Sequence, residues 1–346
     1  MPTYRAAVVG CGRIGSTIDD EIDRWSSLGL PFSHAARYAA TPETELVAGC
    51  DADGGKSEVF RQRWGTTTAY TDIHAMMEAE RPDIVSLATQ TATRVDAALA
   101  VAEHNPQALF LDKPISETLG DADRILSVCR EKGIVVAVNC SRRWEPLAIQ
   151  AKALVDEGII GDLRCVVAFC PGGLSHMGSH MIDLMRFFAG NVEWVVGQTT
   201  EPPADNPDGD LGGLGLMQFA GGSHGYLNML DPGPVSVELD LIGTRGRIRG
   251  RANGATWELW LPGSVPTNHN VLAQQQFPVP HEIVGFGVAS IRDICRCIET
   301  GDKPLCSGDD GRAALEVALA LRHSQRTGNC RVDLPFADPH AAIYTA

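Results

Sequence analysis

Clustered positive charge, a membrane-length apolar run, a Cys-x-x-Cys pair and internal repeats are all missing from these 346 residues. A net charge of −14 argues against nucleic acid or an anionic membrane as partner, since both need dense positive charge. Arg245, Arg247, Arg249 and Arg251 do lie close together, but a spacing of two puts them on one face of a strand. That face is read as solvated, with a patch for an acidic partner or a subunit contact as the alternative. No segment approaches the roughly 20 apolar residues of a membrane span. Met1-Pro2-Thr3 leads straight into a short strand with no long apolar leader, so a cytoplasmic protein is expected. The ten cysteines lack zinc-knuckle or thioredoxin-like spacing, and several fall in apolar strands, which reads as reduced core thiols. Lysine is scarce as well, with five among 29 basic residues. Among so few, Lys113 stands out, because Pro114 follows it and an apolar run, Ala108 to Leu111, precedes it.

Hydrophobic residues at 44% and charged residues at 21% describe an ordinary globular chain, too long for one small core. Two domains are expected, 1–140 and 141–346. In the first third, short apolar runs (Arg5–Val9, Glu45–Cys50, Ile84–Ala88, Ala108–Leu111, Ile134–Val138) alternate with helical stretches such as Thr93–Glu103 and Leu119–Lys132. That alternation predicts a doubly wound parallel sheet. Later strands (Leu163–Cys170, Val192–Gln198, Leu214–Phe219, His224–Met229, Val235–Ile242, Thr256–Leu261) follow one another with few helices between, which predicts a largely antiparallel sheet. One helix interrupts them around His176–Phe188, and two close the chain, about Gly285–Glu299 and Asp309–Thr327. Thr199–Gly213, acidic and rich in Pro and Gly, reads as a mobile loop. The predicted fold class is α/β: a Rossmann sheet followed by an α+β domain with a large, mostly antiparallel open sheet. One face of that sheet needs cover, so a homodimer or homotetramer is expected.

Gly10-Cys11-Gly12-Arg13-Ile14-Gly15 follows the first strand. In such a turn the first glycine permits the tight bend, the second lets a pyrophosphate approach the backbone, and the third lets helix and strand pack closely. Asp51, at the end of the second strand, is placed to accept hydrogen bonds from ribose hydroxyls and to repel a 2′-phosphate. With Ala52 next to it and no adjacent arginine, NAD is favoured over NADP. Asp53 is a poorer candidate, being already in the turn. Asp51 lies 36 residues beyond Gly15, against about 20 in the usual pattern. The surplus is an acidic insertion, 19–31, with Trp25 at its heart, after which Ser33 caps a fresh helix (His34–Ala40). It is read as a surface elaboration, with a lid or substrate wall as the alternative. Lys113 is read as a cation near the reacting end of the nucleotide, its aim set by Pro114, with a surface lysine before a loop proline as the alternative.

His176 and His180 are four apart and share a face if helical, with Asp183 one turn beyond. A metal pair, two structural imidazoles, or at least one acid–base group are the three readings. The Glu of His-Glu-x-x-His is missing and no third ligand is evident, so no metal is assigned and the acid–base reading is taken.

These pieces in this order resemble the Gfo/Idh/MocA oxidoreductases over almost the whole chain. The carriers are the Gly-rich turn, Leu111-Asp112-Lys113-Pro114 in place of Glu-Lys-Pro, and Ser141-Arg142-Arg143-Trp144-Glu145-Pro146. Gly158-Ile159-Ile160-Gly161, the Gly-Gly…His-x-x-Asp helix, Gly243-Thr244-Arg245-Gly246 and Ser307-Gly308-Asp309-Asp310-Gly311 complete them. The resemblance implies NAD- or NADP-dependent chemistry on sugars, sugar acids or cyclitols. Lys113 would contact the substrate hydroxyl, His180 would be the general base, and Thr89 would join the Gly-rich turn and Asp51 against the cofactor. The chain departs from the pattern twice. His176 stands where an aspartate is usual, and Arg94 where a histidine is usual. Arg94 is expected either to grip an anionic group or to sit on the helix surface, and Arg142, Trp144, His176 and Asp183 are the other candidate substrate contacts. An NAD-dependent glycosidase or lyase, acting through transient oxidation, and a non-catalytic sensor are the competing readings.

Overall fold

Short runs such as Ile84–Leu87 and Ala108–Leu111 are buried at every position, because strands covered on both faces have no polar side to show. The computed structural model describes residues 3–22, 30–200, 209–229, 236–263, 271–336 and 338–344. Among these, the chain divides into two compact units, 1–144 with 284–312, and 145–283 with 313–346.

The first unit holds β1 (Tyr4–Val9), β2 (Thr44–Cys50), β3 (Ala69–Tyr70), β4 (Ile84–Leu87), β5 (Ala108–Leu111) and β6 (Val135–Val138). They form one parallel sheet in the order β3-β2-β1-β4-β5-β6. The order reverses between β1 and β4, and ligands of open α/β sheets bind at the carboxyl ends of strands at such a point. Ser33 caps the helix His34–Ala40 as expected, accepting from Ala36 N at 3.2 Å.

The expected boundary at residue 140 falls short, and the division is not one cut. The segment 284–312 returns to the first unit. Its helix, Phe286–Thr300, buries Phe286, Ile291 and Ile294, and Phe286 meets Phe32 edge-on at 4.9 Å. Trp144 donates its indole N–H to Asp293 (3.0 Å), and Val138 N donates to Cys306 O (3.0 Å), covering the edge of β6.

The second unit has β7 (Leu163–Phe169), β8 (Val192–Thr199), β9 (Gly213–Phe219), β10 (His224–Asn228), β11 (Glu238–Gly243), β12 (Arg247–Arg251), β13 (Thr256–Pro262), β14 (Leu272–Gln275) and β15 (Val332–Asp333). Their order is β14-β13-β12-β11-β7-β10-β9-β8-β15, antiparallel except for β7 with β10. Three of the four arginines of the row, Arg247, Arg249 and Arg251, lie on β12, and Arg245 lies in the turn before it. Arg247 and Arg249 both pair with Asp240 of β11, at 2.5 and 2.8 Å, and Arg251 with Glu258 of β13 at 3.5 Å, so the row is partly offset by carboxylates within the sheet. Of the loop expected at Thr199–Gly213, residues 201–208 lie outside the described residues, whereas Thr199 ends β8 and Gly213 begins β9.

Candidate active site

Each glycine of the Gly-rich turn has a different physical reason to be there. Gly10 takes φ +94°, and a Cβ on it would lie 2.6 Å from the Ala88 carbonyl carbon at the end of β4. A Cβ on Gly15 would lie 1.9 Å from Gly10 O. Gly12 alone faces open space, with nothing within 4 Å of its ideal Cβ. That is the free backbone face a pyrophosphate needs. The five residues Arg13–Thr17 continue as a single π-type turn, followed by a short helix, Asp19–Ile22.

Asp51 closes over this turn. Its Oδ2 accepts from Cys11 N (2.8 Å) and its Oδ1 from Asp53 N (3.0 Å), so one carboxylate joins the end of β2 to the Gly-rich loop. Asp53 instead caps the helix Gly54–Trp64, accepting from Gly55 N at 2.9 Å. Thr89 Oγ1 is buried with no hydrogen-bond partner among the described residues, an arrangement that costs about 1–3 kcal/mol unless a ligand satisfies it. An open Gly12 face, a partly exposed Asp51 carboxylate and an orphaned hydroxyl at the end of β4 fit a dinucleotide. Arg13 is paired at 2.7 Å with Glu21 of the insertion. Asp19 and Asp20 stitch the insertion down as well, through Phe32 N (2.6 Å), Ser33 N (2.9 Å) and Arg63 (2.7 Å). Trp25 lies outside the described residues.

Lys113 follows β5 and is partly exposed, and its peptide bond to Pro114 is cis. Both neighbours are fixed. Asp112 Oδ1 accepts from Asn139 Nδ2 at 2.9 Å, and Asn139 Oδ1 in turn accepts from the buried Arg37 at 2.7 Å. Burial alone would raise the Asp112 carboxyl, but the proximity of His34, Lys113 and Arg94 holds it well below the usual carboxylate range. His34 Nε2 stands 3.9 Å away, beyond hydrogen-bond reach, while its Nδ1 is bound to Ser86 Oγ at 2.9 Å. Burial pulls the His34 imidazole down, toward its neutral form.

Two of the expected substrate contacts are corrected here. Trp144 is 2% exposed, held by Asp293 and packed edge-on against Phe110 at 6.2 Å, so it is a core residue of the first unit. Arg94 neither lies on the helix surface nor is placed to grip an anion. It is 2% exposed and donates to the carbonyls of Pro114 and Thr89. Arg142 remains partly exposed on the single turn Ser141–Trp144.

In the second unit the helix expected around His176–Phe188 runs from Gly178 to Ala189. His176 is therefore exposed in the turn that precedes the helix, and His180 lies partly buried in its first turn. The two do not share a helical face. Asp210 caps the turn before the helix, its carboxylate accepting from Ser175 N and His176 N, both at 2.7 Å. Gly173 is needed for this, because a Cβ there would fall 2.0 Å from Asp210 Oδ2. The buried side of the helix is Met181, Leu184, Met185 and Phe188, and Asp183 is 1% exposed. Asp210 was hidden in sequence by the Pro/Gly-rich segment around it.

Comparison with known proteins agrees with this geometry. A family model described as an oxidoreductase family with an NAD-binding Rossmann fold matches residues 4–140. A GFO/IDH/MocA C-terminal domain model matches residues 170–249. The chain is 26% identical to D-apiose dehydrogenase of Paraburkholderia graminis, over 99% of this chain and 93% of that protein. It is 23% identical to scyllo-inositol 2-dehydrogenase (NAD(+)) of Bacillus subtilis, over 94% of each. Levoglucosan dehydrogenase, solved with NADH and L-sorbose, superposes with a TM-score of 0.81 at 18% identity, covering 97% of this chain and all of that one. At that identity the last likeness shows the fold.

Proposed function

From the premise that this chain belongs to the Gfo/Idh/MocA family of NAD-binding oxidoreductases, we propose that it oxidises or reduces a carbinol carbon of a sugar, sugar acid or cyclitol. The observation that carries the reading lies within the first unit. A nucleotide cradle at the switch point and a lysine fixed at the carboxyl end of β5 stand on one sheet edge. The dehydrogenase relatives named above support the substrate class.

Bound NAD supplies the two-electron acceptor. In the oxidative direction His180 would take the hydroxyl proton as the carbinol becomes a carbonyl, with bound NAD as the acceptor of the hydride. Lys113 steadies the negative charge that develops on oxygen. Asp51 holds the adenosine ribose, Thr89 closes the cofactor site, and Arg142 and His176 are the proposed substrate-side contacts; Asp183, at 1% exposed, does not join them. Phe169 (41% exposed) and Leu216 (51% exposed), on strands of the second sheet, are apolar side chains that a homodimer or homotetramer would cover, and light scattering reads its mass.

NADH absorbance across a panel of sugars, sugar acids and cyclitols tests the reaction, and net NADH is expected. Aglycone release without net NADH replaces it with the glycosidase or lyase reading. NAD binding with neither reaction replaces it with a sensor. Asp51→Ala is expected to weaken NAD about tenfold and to narrow its preference over NADP, because one carboxylate both holds the ribose and repels a 2′-phosphate. A cofactor preference equal to wild type moves the ribose contact elsewhere.

A further inference from the structure

We propose that Arg94 is a positioning residue for Lys113, a guanidinium clamp that fixes the loop carrying the lysine. The inference deepens the reading above and rests on it for the role of Lys113.

Arg94 stands on the helix Thr91–Glu103, close behind the loop that follows β4. One terminal nitrogen donates to Pro114 O, immediately beyond Lys113, and the other to Thr89 O at 2.6 Å. The acceptors belong to different loops, one after β5 and one after β4, so the guanidinium ties two carboxyl-end loops of the sheet together. Its planar, rigid fork suits that task, since both bonds are set by one group whose geometry does not flex. Pro114 has no N–H, so its carbonyl is the only backbone hydrogen-bonding group the loop offers at that residue.

A cation this deeply buried costs free energy unless charge and acceptors surround it. Burial pulls the Arg94 guanidinium down, and the charge of Asp112 offsets part of that. Asp112 is itself held from β6 through Asn139 and Arg37. Lys113 thus sits between one neighbour anchored by Arg94 and another anchored from β6. Its own stem is flexible, and anchoring both backbone neighbours fixes the point from which that stem starts.

The test uses the whole chain and its five lysines: Lys56, Lys113, Lys132, Lys152 and Lys303. Reductive ¹³C-methylation gives each a separate NMR signal, and Lys113→Arg identifies the one of interest. Two variants are compared with wild type, Arg94→Met, which removes both donors, and Arg94→Gln, whose single amide group cannot span the two carbonyls. In either folded variant the Lys113 signal is expected to move and sharpen toward those of the other four lysines, which stay in place. Its response to added NAD is expected to shrink. On a substrate found by the panel, kcat is expected to fall about 10- to 100-fold, as for a misplaced catalytic group. An unchanged Lys113 signal in a folded variant overturns the proposal, whatever the turnover. A Lys113 signal that answers to Arg94 and NAD, in a protein that turns over nothing, upholds the clamp and sinks the redox reading instead.

Discussion

Lys113→Met is expected to lower kcat about 10²- to 10³-fold, the effect of removing one donor aimed at a developing oxyanion. Affinity for NADH, read by fluorescence titration, is expected to stay within about twofold. The two expectations differ because the residues that form the nucleotide cradle do not depend on Lys113. Gly10 N donates to Cys50 O at 2.8 Å, and Asp51 accepts from Cys11 and Asp53. Methionine keeps the length of the stem and the packing around Asp112 and removes only the ammonium. Turnover within tenfold of wild type in a folded variant would falsify the role given to this lysine.

His180→Gln carries the second large effect. Losing a general base typically costs about 10²- to 10⁴-fold. Oxidation needs the imidazole neutral, so wild-type kcat/KM is expected to rise with pH as that proton is lost. The variant should lose this limb and gain activity only as hydroxide becomes abundant. A variant that keeps the wild-type limb would assign the proton to another group, and His176→Gln, measured alongside, tells whether the exposed neighbour is that group. Asp210 makes the comparison clean, since it holds the backbone at His176 irrespective of either side chain.

The first unit was readable because its signals are local. Five of its six strands are apolar runs of four residues or more, the glycines sit where a turn needs them, and Ser33 announces a helix. The missed strand, Ala69–Tyr70, is only two residues long and exists through its pairing with Gly49 and Cys50. The amphipathic pattern of Phe286–Thr300 shows that one face is buried but not against which unit. Trp144 and Arg94 were misread for a related reason. A tryptophan or an arginine in a motif reads as a contact residue, and only the fold reveals that Asp293, or two loop carbonyls, already occupy its polar atoms. The turn before the helix start at Gly178 is held by a carboxylate thirty-odd residues away. Long-range partners of this kind leave no periodicity behind them.

The return of residues 284–312 has a consequence for biosynthesis. Emerging from the ribosome, the first 140 residues already contain the whole parallel sheet, yet not the aromatic lid over Arg37 or the strand-edge cover at Cys306. Until translation passes Arg312, that nascent sheet keeps an unsealed flank, and the intervening antiparallel strands are made while it waits.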